Sequence, residues 1–251
     1  MASNAARNEK RLSLPQCPSS LPQQGLLAST AATLSERAYI ALKRDIIYGL
    51  FQPGESLSEK DPARRYKSSR TPVREAAVRL QNDRLLRIVP NHGYFVAQIT
   101  LQVLNDIYEF RSAVECAAAE LAATKGASDS ALTQQLMDLA KAKCFPDNRK
   151  SCVRFIEVDT SFHLGIALLS RNQLLVQTVK DARSHTERIM LAAIDIHYFG
   201  ELPTREHLEI LAAIKQRDAR RARDLKHRHI MQSKDKVLGI ASVLPARMSA
   251  R

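Results

Sequence analysis

From Leu101 to about residue 240, apolar residues recur every three to four positions, and the two-residue alternation of a half-buried strand is absent. That periodicity predicts helices packed on helices. Turn-prone breaks near 126–129, 145–149, 170–173 and 199–204 divide the stretch into Ala/Leu-rich segments: "QVLNDIYEFRSAVECAAAELAATKG", "SALTQQLMDLAKAKC", "SCVRFIEVDTSFHLGIALLS" and "QLLVQTVKDARSHTERIMLAAIDI". A last segment, opening "TREHLEILAAIKQRDARRARDLKHRHI", is long enough for two helices. An all-α bundle over residues 100–240 is expected. No apolar run reaches the roughly eighteen residues of a membrane span, and the first thirty residues lack the apolar stretch of a secretory signal. A cytoplasmic chain without membrane contact is therefore expected.

Residues 34–99 read differently. "LSERAYIALKRDIIYGL" sets Ala38, Leu42, Ile46 and Ile47 on one face and stops at Gly49. "FQPGESLSEKDPARRYK" begins with a Pro-Gly turn, then offers Ser58 as the cap of a short helix that Pro62 either shortens or joins in its first turn. Thr71-Pro72 reads as the start of a third helix, with Val73, Ala76, Ala77 and Leu80 as its buried stripe and an end near Arg84. In "LLRIVPNHGYFVAQI", two β-prone runs flank the hairpin signal Pro90-Asn91-His92-Gly93. Three helices and a hairpin describe a winged helix-turn-helix. The fold class is thus mainly α: an N-terminal winged helix-turn-helix over 34–99, joined to an all-α bundle. Residues 1–33, rich in Ser, Pro, Gln and Ala, are expected to be a disordered tail, and 241–251 a second tail.

The net charge of +12 is unevenly spread. Residues 34–99 hold twelve Lys/Arg against seven Asp/Glu, residues 100–214 twelve against fifteen, and residues 215–251 eleven against three. A basic front suggests a polyanionic partner, whereas a basic tail more commonly solvates a helix face. Within the front, Arg70 and Arg74 stand four residues apart beside Ser69 and Thr71, where a helix begins. Free N–H groups and partial positive charge attract phosphate there and, in a major groove, guanine edges; a solvated polar face is the competing reading. The four cysteines, Cys17, Cys116, Cys144 and Cys152, form no CxxC pair, so free thiols in a reducing compartment are expected.

The span from Glu36 to Ala97 resembles the DNA-binding domain of the GntR family of bacterial transcription regulators, through Pro53-Gly54, Leu57 to Glu59, Ser69 to Ala76, Leu80 and His92-Gly93. Three positions depart from that pattern: Pro62 stands where the family usually has Leu, Lys67-Ser68 replace Gly-Val, and Arg84 replaces Gly. Residues 101 to about 238 look like the helical FCD domain of the FadR-type subgroup. "FIEVDTSFHLGIA" resembles its Asp-x-x-Phe-His signature, and "REHLEILAAIKQRDARRARDLKHRHI" its second signature. The resemblance implies that Arg70 and Arg74 enter the major groove of double-stranded DNA, with Lys60, Ser69, Thr71, His92 and Gly93 as further contacts. It also implies a regulator rather than an enzyme, a repressor before an activator. A homodimer on a pseudo-palindromic operator follows, because one winged helix reads only a few base pairs.

Asp159 and His163 lie i, i+4 on one helix face, a spacing that lets two ligands share an ion. His229 shares a stripe with Ala222 and Leu225, which turns it inward. Any one histidine alone reads as core or surface. Together with His207 and the signature match, the four read as a divalent metal site. Three imidazoles and a carboxylate suit zinc first, with nickel, manganese or iron as alternatives. In the resembled subgroup such an ion helps to hold a small organic or sugar acid, and Arg111 in "YEFRSAVE" resembles an arginine that pairs with the effector carboxylate; a structural salt bridge is the other reading of it. Two rivals remain: a metal-dependent hydrolase with an accessory DNA-binding domain, for which no HExxH or comparable base is present, and a pure metal-ion sensor. His185, His197 and His227 read as incidental.

Overall fold

The computed structural model describes residues 33–145, 148–193 and 203–243; residues 1–32 and 244–251 of the expected tails, Cys17 and His197 lie outside them. Helix α1 (Leu34–Ile47) begins where the Thr33 hydroxyl accepts from Glu36 N at 3.1 Å, and it buries Ala38, Leu42, Ile46 and Ile47 as its spacing predicts. A two-residue strand β1 (Ser56–Leu57) precedes helix α2 (Lys60–Arg65). Helix α3 (Arg70–Asn82) leads into β2 (Leu86–Val89) and β3 (Gly93–Val96). All pairs are antiparallel, in the order β1-β3-β2, with Leu57 opposite Tyr94 and Ile88 opposite Tyr94 on the other side. Strand β1 is not legible in the sequence, because two residues carry no periodicity. It forms because Leu57 seals the core with Leu42, Val73, Leu80, Tyr94 and Val96.

Two starts differ from expectation. Glu59, rather than Ser58, flanks α2, and Pro62 sits buried in its first turn. Ser69, with extended backbone, flanks α3, so Thr71 is already helical. Pro72 then occupies the third helical position, where its missing N–H is still one of the four that find no helical acceptor.

The remainder is helical: α4 (Leu101–Leu121), a π-helical turn (Ala122–Gly126), α5 (Ser130–Leu139), α6 (Arg149–Leu169), α7 (Gln173–Ala193), α8 (Thr204–Lys215) and α9 (Ala219–Val243). Helix α9 thus runs into the stretch expected as a tail. A Cβ at Gly126 would stand 2.3 Å from the Leu169 carbonyl oxygen, so only glycine lets the π turn lie against the end of α6. The bundle core gathers Ala119, Leu136, Phe162, Ile166, Ile210, Leu211 and Ile214. A further cluster joins the two parts, with Ile47 of α1 among Val153, Phe155 and Ile156 of α6 and Leu191 of α7. At this junction the Tyr48 hydroxyl donates to Glu157 Oε1 at 2.6 Å, and Arg188 Nη2 donates to the Ala97 carbonyl. No described helix is long and apolar enough to cross a membrane.

The expectation of free thiols is corrected at one pair. Cys144 and Cys152 are disulfide-bonded, with Cα atoms 4.7 Å apart, while Cys116 is free and buried. The Asn148 side chain caps α6 by accepting from Ser151 N, and Ser151 Oγ accepts from Phe145 N at 2.8 Å. These bonds fold the α5–α6 connection back and lay Cys144 on the first turn of α6, a proximity that spacing alone does not encode.

Candidate functional site

Helix α6 carries Asp159 and His163 one turn apart, α8 contributes His207 from its first turn, and α9 contributes His229; all four side chains are buried. One ligand atom from each of the three histidines lies within 4.8 Å of the others. His163 Nε2 stands 3.2 Å from His229 Nε2 and 3.7 Å from Asp159 Oδ1, and His207 Nε2 stands 3.5 Å from that same oxygen. Phe162 stacks on the His207 ring at 3.9 Å and sets its plane.

Two of the rings are held from behind. Glu115 Oε2 contacts His163 Nδ1, and Glu206 Oε2 lies 2.7 Å from His229 Nδ1. An ionised carboxylate only accepts, so the His229 proton sits on Nδ1 and its Nε2 presents a lone pair toward His163, whose own Nδ1 lies between the Glu115 carboxylate and the Lys226 ammonium. His207 Nε2 is buried without a hydrogen-bond partner. These atoms bring together the donor types that bind a divalent ion. Around an ion with Zn–N bonds of about 2.0–2.1 Å, neighbouring ligands lie roughly 3–3.5 Å apart, close to the 3.2, 3.5 and 3.7 Å contacts here, while the three imidazole donors spread over as much as 4.8 Å. The residues therefore fit one divalent ion, and the carboxylates behind the rings are the usual outer partners of such ligands.

Electrostatics agree with neutral ligands. Burial, then Lys226, holds His163 below its ordinary pKa; burial and a neighbouring imidazole hold His207 and His229 well below theirs. Burial alone would raise Asp159, but Arg183, with Nη2 2.5 Å from Oδ2, and then His163 hold it well below the usual carboxylate range. Lys226, also buried, places Nζ 2.6 Å from His163 Nδ1 and 3.1 Å from Glu115 Oε2.

Arg111 joins the same cluster. Its Nε donates to Glu115 Oε1 at 2.7 Å, so the structural salt bridge exists, yet Nη1 and Nη2 are buried with no hydrogen-bond partner. Glu115, Glu206, Arg183 and Lys226 carry no motif that marks them as part of the site. Only Glu115, four residues beyond Arg111, had a local signal. His185 is half-buried between the two parts, and the exposed His227 places Nδ1 2.8 Å from Ser112 Oγ.

On the winged helix, Lys60 begins α2, Ser69, Arg70, Thr71 and Arg74 occupy the exposed start of α3, and His92-Gly93 form the wing turn. Arg74 is not free: Glu59 accepts from its Nε at 2.9 Å and lies 2.8 Å from Nη2. The Tyr94 hydroxyl donates to the same carboxylate at 3.2 Å. One acid thus ties the α2 start, the α3 first turn and the wing together.

Residues 34–96 match the bacterial regulatory proteins of the gntR family, and residues 106–232 match the FCD domain. The chain is similar to the Nta operon transcriptional regulator of Aminobacter aminovorans, 31% identical over 76% of this chain and 88% of that protein. It is similar also to the HTH-type transcriptional repressor RspR of Escherichia coli K12, 29% identical over 81% of this chain and 89% of the relative. Among solved structures, a GntR regulator from Rhodococcus sp. RHA1 is 26% identical, with a TM-score of 0.67 over 82% of this chain and 97% of that one. These are transcription regulators rather than enzymes, and with both domains matched the chain belongs to the GntR family of bacterial DNA-binding transcription regulators, its winged helix followed by an FCD domain.

Proposed function

We propose that this regulator is a cytoplasmic repressor that binds a pseudo-palindromic operator as a homodimer and changes its hold on DNA when a small organic or sugar acid enters the FCD domain. Similarity to a named repressor supports the sign of regulation. The observation that carries the effector reading is the convergence of Asp159, His163, His207 and His229 beside the buried, half-unpartnered guanidinium of Arg111. These four residues would hold a divalent ion, zinc first, with nickel, manganese or iron as alternatives. Such an ion would supply Lewis-acid chemistry toward carboxylate or hydroxyl oxygens. Arg111 Nη1 and Nη2 supply a fork of donors for a second carboxylate or hydroxyl.

Two helices carry a signal outward from that site. Glu157 of α6, two residues before Asp159, holds Tyr48 at the end of α1. Helix α7 contacts Asp159 through Arg183 and reaches the end of the wing through Arg188 and Ala97. An acid that shifts either helix therefore reaches the DNA-reading part.

The test is metal analysis of the wild type and of His163→Ala and His207→Ala, followed by operator binding with and without hits from a screen of hydroxy and sugar acids. About one ion per chain is expected in the wild type, lost in both variants while operator binding persists. Acid and operator should alter each other's affinity by one common factor, a coupling of about 1–3 kcal/mol. Variants that lack the ion yet respond to the acid as the wild type does would sink the site. A shift in operator binding produced by the ion alone would favour the metal sensor.

A further inference from the structure

We infer that Glu59 is a specificity-determining residue: it positions Arg74 for base reading and penalises every DNA sequence on which that reading fails. The inference rests on the reading of Arg74 as a major-groove residue. Glu59 flanks α2, yet its side chain makes no capping bond to that helix. It reaches instead across to α3, where both oxygens lie 2.9 Å from Arg74 Nε and Oε2 lies 2.8 Å from Nη2. Tyr94, buried at the start of the wing strand, fixes Oε1 from the other side.

A guanidinium has two edges that can grip a pair of acceptors. Glu59 takes the side edge, formed by Nε and one Nη2 hydrogen, and this leaves the end edge, formed by Nη1 and the outer Nη2 hydrogen. The end edge matches the O6 and N7 pair of guanine. The Arg74 side chain remains 61% exposed, so that edge stays open to DNA. A long side chain that is already ordered loses less freedom on contact, which favours the cognate complex.

The carboxylate also acts against the wrong complex. Arg74 holds the Glu59 carboxyl below its usual range, so it stays charged. On a sequence without the matching base, a free arginine would swing to the nearest phosphate and bind regardless of sequence. Glu59 competes with that phosphate for Arg74 and repels it. Discrimination therefore comes from both sides of the comparison.

The test uses the full chain on its selected operator and on a scrambled duplex at several salt concentrations. Glu59→Ala and Glu59→Gln should lower the cognate-to-scrambled affinity ratio by about tenfold, chiefly by tightening the scrambled complex, and should steepen its salt dependence by about one released counterion. In an Arg74→Ala background the same changes should leave the ratio where Arg74→Ala alone sets it. Tyr94→Phe, which keeps the buried ring and removes only the hydroxyl, should lower the ratio by less, and thermal melting of each variant separates a loss of fold from a loss of reading. An unchanged ratio in both Glu59 variants, or a proportional loss on both duplexes, overturns the inference while a collapsed ratio in Arg74→Ala preserves the parent reading. An Arg74→Ala protein with the wild-type ratio overturns both.

Discussion

Single residues close four of the helices in a way glycine usually does. Lys67, Arg84, Arg171 and Arg217 all take positive φ, between 50° and 59°, immediately past α2, α3, α6 and α8. At three of these ends the following N–H reaches back to close the last turn: Ser68 N to Ala63 O at 2.9 Å, Leu85 N to Leu80 O at 2.9 Å and Asp218 N to Ala213 O at 3.0 Å. The left-handed conformation costs an L-residue about 1–2 kcal/mol, which a cation at a helix C-terminus offsets by about 0.3–1 kcal/mol. At Lys67 and Arg84 this chain thus accepts strain for charge. Arg84→Gly is accordingly expected to stabilise the fold by about 0.5–1 kcal/mol, seen as a higher urea midpoint at unchanged slope. A lower midpoint would show that the Arg84 charge outweighs the backbone strain.

At the scale of elements, the α5–α6 connection is where local pattern and tertiary placement diverge. Its cysteines are eight residues apart and unremarkable in sequence, but the cap at Asn148 turns the chain so that they bond. The bridge belongs to the cluster that seats Ile47 of α1 against α6 and α7, so it braces the joint between the DNA-reading and effector parts. Closing a loop this short should contribute about 2–3 kcal/mol through the unfolded chain. Adding reductant, or substituting Cys144→Ser, is therefore expected to lower thermal stability by that amount. Identical melting curves with and without reductant would mean that the thiols are unbonded in solution.

For the whole molecule, charge and symmetry set the behaviour on DNA. The excess of basic residues over 34–99 predicts operator affinity that falls linearly on a log–log plot against salt, with a slope equal to about 0.9 per phosphate contact in one protomer, summed over two. A slope that matches one protomer's contacts alone would contradict a dimer on the operator. The full chain should also sediment as a dimer at micromolar concentration without DNA, with Phe110 of α4 and Leu174 of α7 among the exposed apolar side chains available for burial. A monomer at that concentration would place dimer formation on the DNA itself.

Periodicity by itself determined the helical bundle, because an amphipathic stripe has one stable use in water, and turn chemistry determined the wing, because Asn91 and Gly93 supply the positive φ that the hairpin needs. The i, i+4 step from Asp159 to His163 placed two candidate ligands on one face, a purely local consequence of helix geometry. His207 and His229 are legible only through the family signature, with Ala222 and Leu225 marking the inward face of α9 that His229 shares. What no local rule could supply was everything joining distant segments: Glu115 and Glu206 behind the imidazoles, Lys226 and Arg183 beside them, Glu59 on Arg74, and the Cys144–Cys152 bridge. Those contacts exist only after segments distant in sequence have packed, α2 on α3 in the winged helix and α4, α6, α7, α8 and α9 in the bundle, because a side chain's charge partner is chosen by which element faces it, and burial then decides whether the pair stays charged.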